Sequence, residues 1–149
     1  MTKSIFLLFN LVIAFYNVGT IWAHEIDIFR HWKFLDRKTF DIVRNEHWKK
    51  IPYWVFIPVG FSFIGSVTLI WYHPERSPSW AIWGSFFSQI FSHLLTILFW
   101  GRWQAQLTNE ILGAQSPILD KIIKTHWIRT ALINIYALIL FIWTIKIIS

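Results

Sequence analysis

Four histidine-bearing stretches carry the reactive side chains of this sequence. Asn17 to Trp32 reads NVGTIWAHEIDIFRHW and brings His24, Glu25, Asp27, Arg30 and His31 close together. Glu46-His47 and the pair His126 and Arg129 supply further candidates, and His93 stands inside an apolar run. Histidine titrates near neutral pH, so an imidazole beside a carboxylate suits removal of a phenolic or α-carbonyl proton. An arginine would stabilise the anion that forms. The expected catalytic set is His24, Asp27, His47, His126 and Arg129. Neutral imidazole and carboxylate also suit zinc, copper, iron or manganese, so His24, Glu25, His47 and His126 are the candidate metal ligands. The pairs His24-Glu25 and Glu46-His47 lack the HExxH spacing. One transition-metal ion, metal-free acid–base chemistry and a purely structural role therefore stay open side by side.

The elements that must position these residues are membrane helices. Hydrophobic residues make up 55% of the 149, with 11 Trp and 14 Phe, above an ordinary soluble domain. Four apolar runs are long enough to span about 30 Å of hydrocarbon, near residues 4–23, 53–72, 80–103 and 127–148. The first follows Lys3 in the outline of a signal peptide, but Thr20-Ile21-Trp22-Ala23 is a poor small-residue cleavage site, so it reads as a retained span. Residues 25–50 contain no Gly or Pro, and apolar side chains recur at Ile28, Trp32, Leu35, Phe40 and Val43. They read as an amphipathic helical excursion with a break near Leu35 to Lys38, where Asp36 offers a weak cap. His73-Pro74-Glu75-Arg76-Ser77-Pro78 and the region around Gly113 to Pro117 mark turns. The predicted fold is an all-α, four-span membrane bundle forming one domain.

Charge placement orients the bundle. Of 14 Lys and Arg, seven lie in residues 25–50 and four between Arg102 and Arg129; Lys3, Arg76 and Lys146 fall on the other side. Both long loops, 25–50 and 104–126, are expected in the cytoplasm and both termini outside, in a cell (inner) membrane. Trp22, Trp54, Trp100, Trp103 and Trp127 mark the inner boundary, Trp71 and Trp80 the outer one. The net charge of +6 reports on anionic lipid; no basic patch on a soluble fold supports nucleic-acid binding. Cysteine is absent, which removes disulfides, iron–sulfur clusters and thiolate metal sites.

Periodicity places the candidates relative to one another. Asn10, Asn17, His24 and His31 sit seven apart and share one helical face, with Thr20 and Asp27 near it. Polar groups at membrane depth usually face protein or a water-filled cavity, so this stripe should point into the bundle. His93, with Gln89, Ser92 and Thr96 nearby, reaches a depth similar to Asn17 and Asn134. Asn17, His93 and Gln104 are the expected substrate-binding residues. Simpler roles exist for several of these: solvated side chains for His31 and His47, a turn residue for His73, and cross-helix hydrogen bonds for Asn10 and Asn134. Arg129 is expected to snorkel to the interface or to pair with Glu25 or Asp27.

Thr96 to Leu107, TILFWGRWQAQL, followed by THWIRTALIN from Thr125 to Asn134, resembles the end of the third span and the start of the fourth in the anthrone oxygenase-like family of small four-helix membrane proteins. Thr96, Gln104, Trp127 and Arg129 occupy the matching places, with Gln104 where that family more often has Asn. The resemblance implies an oxygenase that oxidises a phenolic polycyclic substrate with molecular oxygen. The expected function is a membrane-embedded oxidoreductase or oxygenase acting on a lipophilic aromatic or isoprenoid molecule. The alternative is a non-enzymatic accessory or scaffold subunit of a larger membrane complex, and self-association into a homo-oligomer fits either.

Overall fold

Four long helices account for most of the chain. The computed structural model describes residues 2–149. α1 spans Thr2–Phe34, α2 Arg37–Thr68, α3 Ser79–Thr108 and α4 Pro117–Ile148, and each is long and apolar enough to cross a membrane. At 1.5 Å per residue they run about 45–50 Å, well beyond a hydrocarbon core of about 30 Å. The surplus lies at the end that holds the α1–α2 and α3–α4 connections and most of the Lys and Arg. We call this the basic end, and the opposite one the terminal end.

The expected excursion at residues 25–50 is therefore not a separate segment. Its halves are direct continuations of α1 and α2, which meet at Leu35-Asp36 in a helical hairpin. Asp36 caps α2: its carboxylate accepts from the Lys38 amide at 3.0 Å and the Thr39 amide at 3.1 Å. Hydrogen bonds from Thr39, then from Lys38, hold that carboxyl below its ordinary range. Ser116 caps α4 in the same manner, accepting from the Ile118 amide, with Pro117 in the first turn where its missing N–H costs nothing. α2 ends at Thr68, earlier than the apolar run, and Arg76 in the α2–α3 turn takes a left-handed φ of 63°. Gly113 supplies a φ of +55° in the α3–α4 connection.

The helices alternate in direction, each packing on its sequence neighbours, and α1 closes the ring against α4. Two apolar cores result. At the terminal end Leu7, Leu11, Ala14, Leu69, Tyr136, Leu140 and Trp143 pack together. At the basic end Phe29, Trp32, Phe40, Leu107, Leu119 and Ile122 form a second core, and Lys33 pairs with Asp120 across it. Between them lies a polar layer. Close approach of α1 and α2 uses Gly65, where any Cβ would run into the Asn10 amide. Of each helix's most apolar window only 22–33% is buried, so the rest faces outward, and it is apolar. That suits lipid, not water.

Candidate polar site between the two cores

Three of the four helices carry a π-helical turn: His24–Ile28 in α1, Pro52–Phe56 in α2 and Thr96–Trp100 in α3. In each, the amide of the following residue bonds the carbonyl five back: Phe29 to His24, Ile57 to Pro52 and Gly101 to Thr96. Each contributes walls to the cavities of the polar layer. Such turns insert a residue into a helix and occur often at functional sites. In α2 the prolines help to explain the local geometry. Pro58 has no N–H for the Trp54 carbonyl, and the Tyr16 hydroxyl of α1 donates to that carbonyl at 3.2 Å instead.

Arg129 of α4 is at the centre. It is 8% exposed, it forms no ion pair among the described residues, and its Nε has no protein partner. It lines two cavities. The larger, about 290 Å³, is walled by Asn17, Gln89, Ser92, His93, Thr96 and Arg129 on its polar side, and by Phe56, Val59, Ile97 and Ile133 on its apolar side. Phe56 and Ile97 are half or more exposed, so this deep cavity opens sideways between α2 and α3. The smaller, about 20 Å³, includes Asn17, Thr20, His24, Gln104 and Arg129 in its wall. An open groove of about 300 Å³ between α1 and α2 is lined by Tyr16, Thr20, His24, His47, Lys50 and Trp54, among others. His24 thus belongs to both the groove and the small cavity.

The histidine tautomers follow from their partners. His24 Nδ1 lies 2.7 Å from the Thr20 carbonyl and His93 Nδ1 lies 2.8 Å from the Gln89 carbonyl. A carbonyl only accepts, so both Nδ1 atoms carry hydrogen and each neutral ring keeps a basic Nε2. His126, 1% exposed, has Nδ1 at 2.9 Å from Glu25 Oε2, and Glu25 Oε1 accepts from Arg30 at 3.1 Å. This is a carboxylate-oriented imidazole, with a buried Nε2 that no protein group meets. The rings of His24 and His47 stand 5.2 Å apart, and those of His24 and His126 6.5 Å apart. Phe29 and Trp32 pack against His126 and His47 respectively.

Most of the residues singled out in the sequence meet in this layer: Asn17, His24, His93, Gln104 and Arg129 on cavity walls, His47 in the groove, and Glu25 with His126 behind. Asp27 does not. It is exposed and pairs with His31 on the outside of α1; the carboxylate that lies beside a buried imidazole is Glu25. The cause is the π-turn. Burial runs through Asn10, Asn17 and His24, then shifts to Phe29 and Trp32, because the inserted residue turns Asp27 and His31 away. Arg129 pairs with neither Glu25 nor Asp27, since Glu25 is committed to His126 and Arg30. Asn134 also departs from the expected layer, donating to the Thr130 carbonyl and accepting from the Trp22 indole. Nor do His24, Glu25, His47 and His126 assemble as a ligand set: among the described residues no three His, Asp or Glu side chains are arranged to hold a metal ion. Ser62, which accepts from Asn17 Nδ2 at 2.8 Å and so orients it, was not legible as a site residue. Nothing in its sequence surroundings separates it from the other small residues of α2. Comparison with family models, with curated proteins and with solved structures finds no match for this chain.

Proposed function

We propose that the chain is a membrane-embedded oxidoreductase, of the oxygenase kind, for a lipophilic aromatic or isoprenoid molecule with a weakly acidic head. One observation carries this reading: Arg129, a buried guanidinium without a counter-charge, on the wall of a half-apolar cavity that opens sideways. An unpaired buried charge costs about 3–5 kcal/mol, and an anionic head would offset that cost. The substrate enters from lipid between α2 and α3, packs its apolar body on Phe56, Val59, Ile97 and Ile133, and brings its head to Arg129. A neutral imidazole, His93 in the same cavity or His24 beyond it, accepts the phenolic or α-carbonyl proton at Nε2. Arg129 holds the resulting anion. Molecular oxygen is the oxidant. A ring methylene beside the anionic centre loses two hydrogens and gains one oxygen atom, and the second oxygen leaves as water. The resemblance of Thr96 to Asn134 to the anthrone oxygenase-like family points to the same reaction class. The Lys and Arg excess supports an orientation with the basic end in the cytoplasm and both termini outside.

The test is oxygen uptake and quinone formation from anthrone, with the protein in lipid nanodiscs. Wild type should exceed protein-free discs, and Arg129→Gln should fall about 10²–10³-fold, as on loss of an oxyanion donor. A wild-type rate equal to that of empty discs, with no binding of anthrone or naphthol, would overturn the enzyme reading and leave the accessory-subunit one.

A further inference from the structure

We propose that one water molecule, held between Arg129, Asn17 and His24 in the small cavity, carries protons between the deep cavity and the α1–α2 groove. His24 is the transferring base and His47 the outlet. Two buried atoms motivate the site. Arg129 Nε and Asn17 Oδ1 have no protein partner, their residues are 8% and 4% exposed, and both residues line the same cavity of about 20 Å³. A water needs roughly 10–15 Å³ and two to four polar partners.

The donor inventory selects water over an ion. Arg129 Nε only donates and Asn17 Oδ1 only accepts. An anion would face the Asn17 oxygen, and a cation would face the guanidinium. A water accepts from Nε–H and donates to Oδ1, and its second hydrogen is free for the basic Nε2 of His24. Asn17 keeps this orientation because Nδ2 donates to the Pro58 carbonyl at 3.4 Å as well as to Ser62 Oγ at 2.8 Å, and a carbonyl has no hydrogen to give Oδ1 in return.

The route follows from shared walls. Asn17 and Arg129 line both cavities, and His24 lines both the small cavity and the groove. An acidic molecule in the deep cavity gives its proton to the water, which passes one of its own to His24 Nε2. The imidazolium then passes the Nε2 proton to water in the groove, beside the His47 ring 5.2 Å away, while Nδ1–H stays on the Thr20 carbonyl. One proton leaves, the water is restored, and the anion stays with Arg129. The groups facing His24 favour release. Arg129 and His126 of α4 and His47 and Lys50 of α2 are neutral or cationic, and the nearby carboxylate, Glu25, is held by His126 and Arg30.

The relay rests on the substrate reading above, but the water site does not, and the test uses ligand-free protein. Water-edited solid-state NMR on ¹⁵N-labelled protein in bilayers reads transfer from water to each nitrogen. Arg129 Nε and His24 should receive signal as readily as Lys50 in the groove, while the Leu140 amide in the terminal core stays dark. Thr20→Leu, which fills the small cavity, should abolish transfer to Arg129 Nε. An Arg129 Nε as dark as Leu140, or one whose signal survives Thr20→Leu, would overturn the proposal. Failure of anthrone turnover leaves this result untouched, so the two readings fail separately.

Discussion

At the residue scale the unusual feature is a charge in the wrong place for stability. Arg129 sits in the polar layer without an acid, whereas several other basic side chains have one: Arg30 with Glu25, Arg44 and Arg37 with Asp41, Lys49 with Glu46. A buried ion carries a desolvation penalty of several kcal/mol, and replacing buried ion pairs by apolar side chains of similar volume is often stabilising. Arg129→Met should therefore stabilise the ligand-free protein by about 1–4 kcal/mol, read as a higher melting temperature in detergent, and should abolish binding of a lipophilic phenol. A variant that melts lower would mean that the guanidinium has a counter-charge within the protein. Glu25 is the reverse case. Its two oxygens orient His126 and Arg30, so Glu25→Gln should cost about 1–3 kcal/mol through the bonds it weakens. A histidine-ring ¹⁵N spectrum would report it: the His126 Nδ1 signal should move while that of His93 stays.

At the element scale the π-turns decide which side chains face inward. The spacing of Asn10, Asn17 and His24 continues by sevens to His31, yet Trp32 is the buried residue and His31 is outside. One inserted residue rotates the end of α1 by about 100° relative to a regular helix. That rotation places Phe29 and Trp32 in the basic-end core and Glu25 against His126. Deleting Ile26, which is exposed, should convert the turn to regular helix and put Trp32 seven positions after His24, so that Phe29 and Trp32 stay in the basic-end core. Hydrogen exchange in residues 29–48 should then keep its protection, as should that of amides near Leu11 and Leu140. Faster exchange confined to residues 29–48 would show that the extra residue is itself needed for that packing.

At the scale of the whole molecule, two apolar cores brace a polar layer that opens sideways at two places, on either side of α2. A bundle held at both ends can keep a cavity in its middle, because neither core needs the polar layer for its own packing. The outward-facing surface stays apolar around the long helices, and positive charge collects at one end. The chain has no native cysteine, so Asn45→Cys and Ser149→Cys can each be labelled without background. A membrane-impermeant maleimide should reach Ser149→Cys in intact cells, and Asn45→Cys only after the membrane is opened. The opposite pattern would invert the bundle and place the groove beside His47 on the outer side.

Much of this was legible in the sequence because it depends on composition and local chemistry. Run length and apolar content are enough to specify four helices long and apolar enough to span a membrane, since a backbone in lipid must satisfy its own hydrogen bonds. Asp36, a short acceptor ahead of a helical run, already marked the break between α1 and α2. The inward placement of Asn17, His24 and His93 followed from the cost of polar groups among apolar neighbours. The partnerships were not legible. Whether Arg129 meets Glu25 depends on helix rotation, and in α1 and α3 that rotation was set by π-turns that no proline marks in the sequence. The same rotation left Asp27 on the outside with His31, while Glu25 stands beside His126. Sequence periodicity assumes a constant number of residues per turn; tertiary packing changed that number in three helices, at the level where the polar side chains meet.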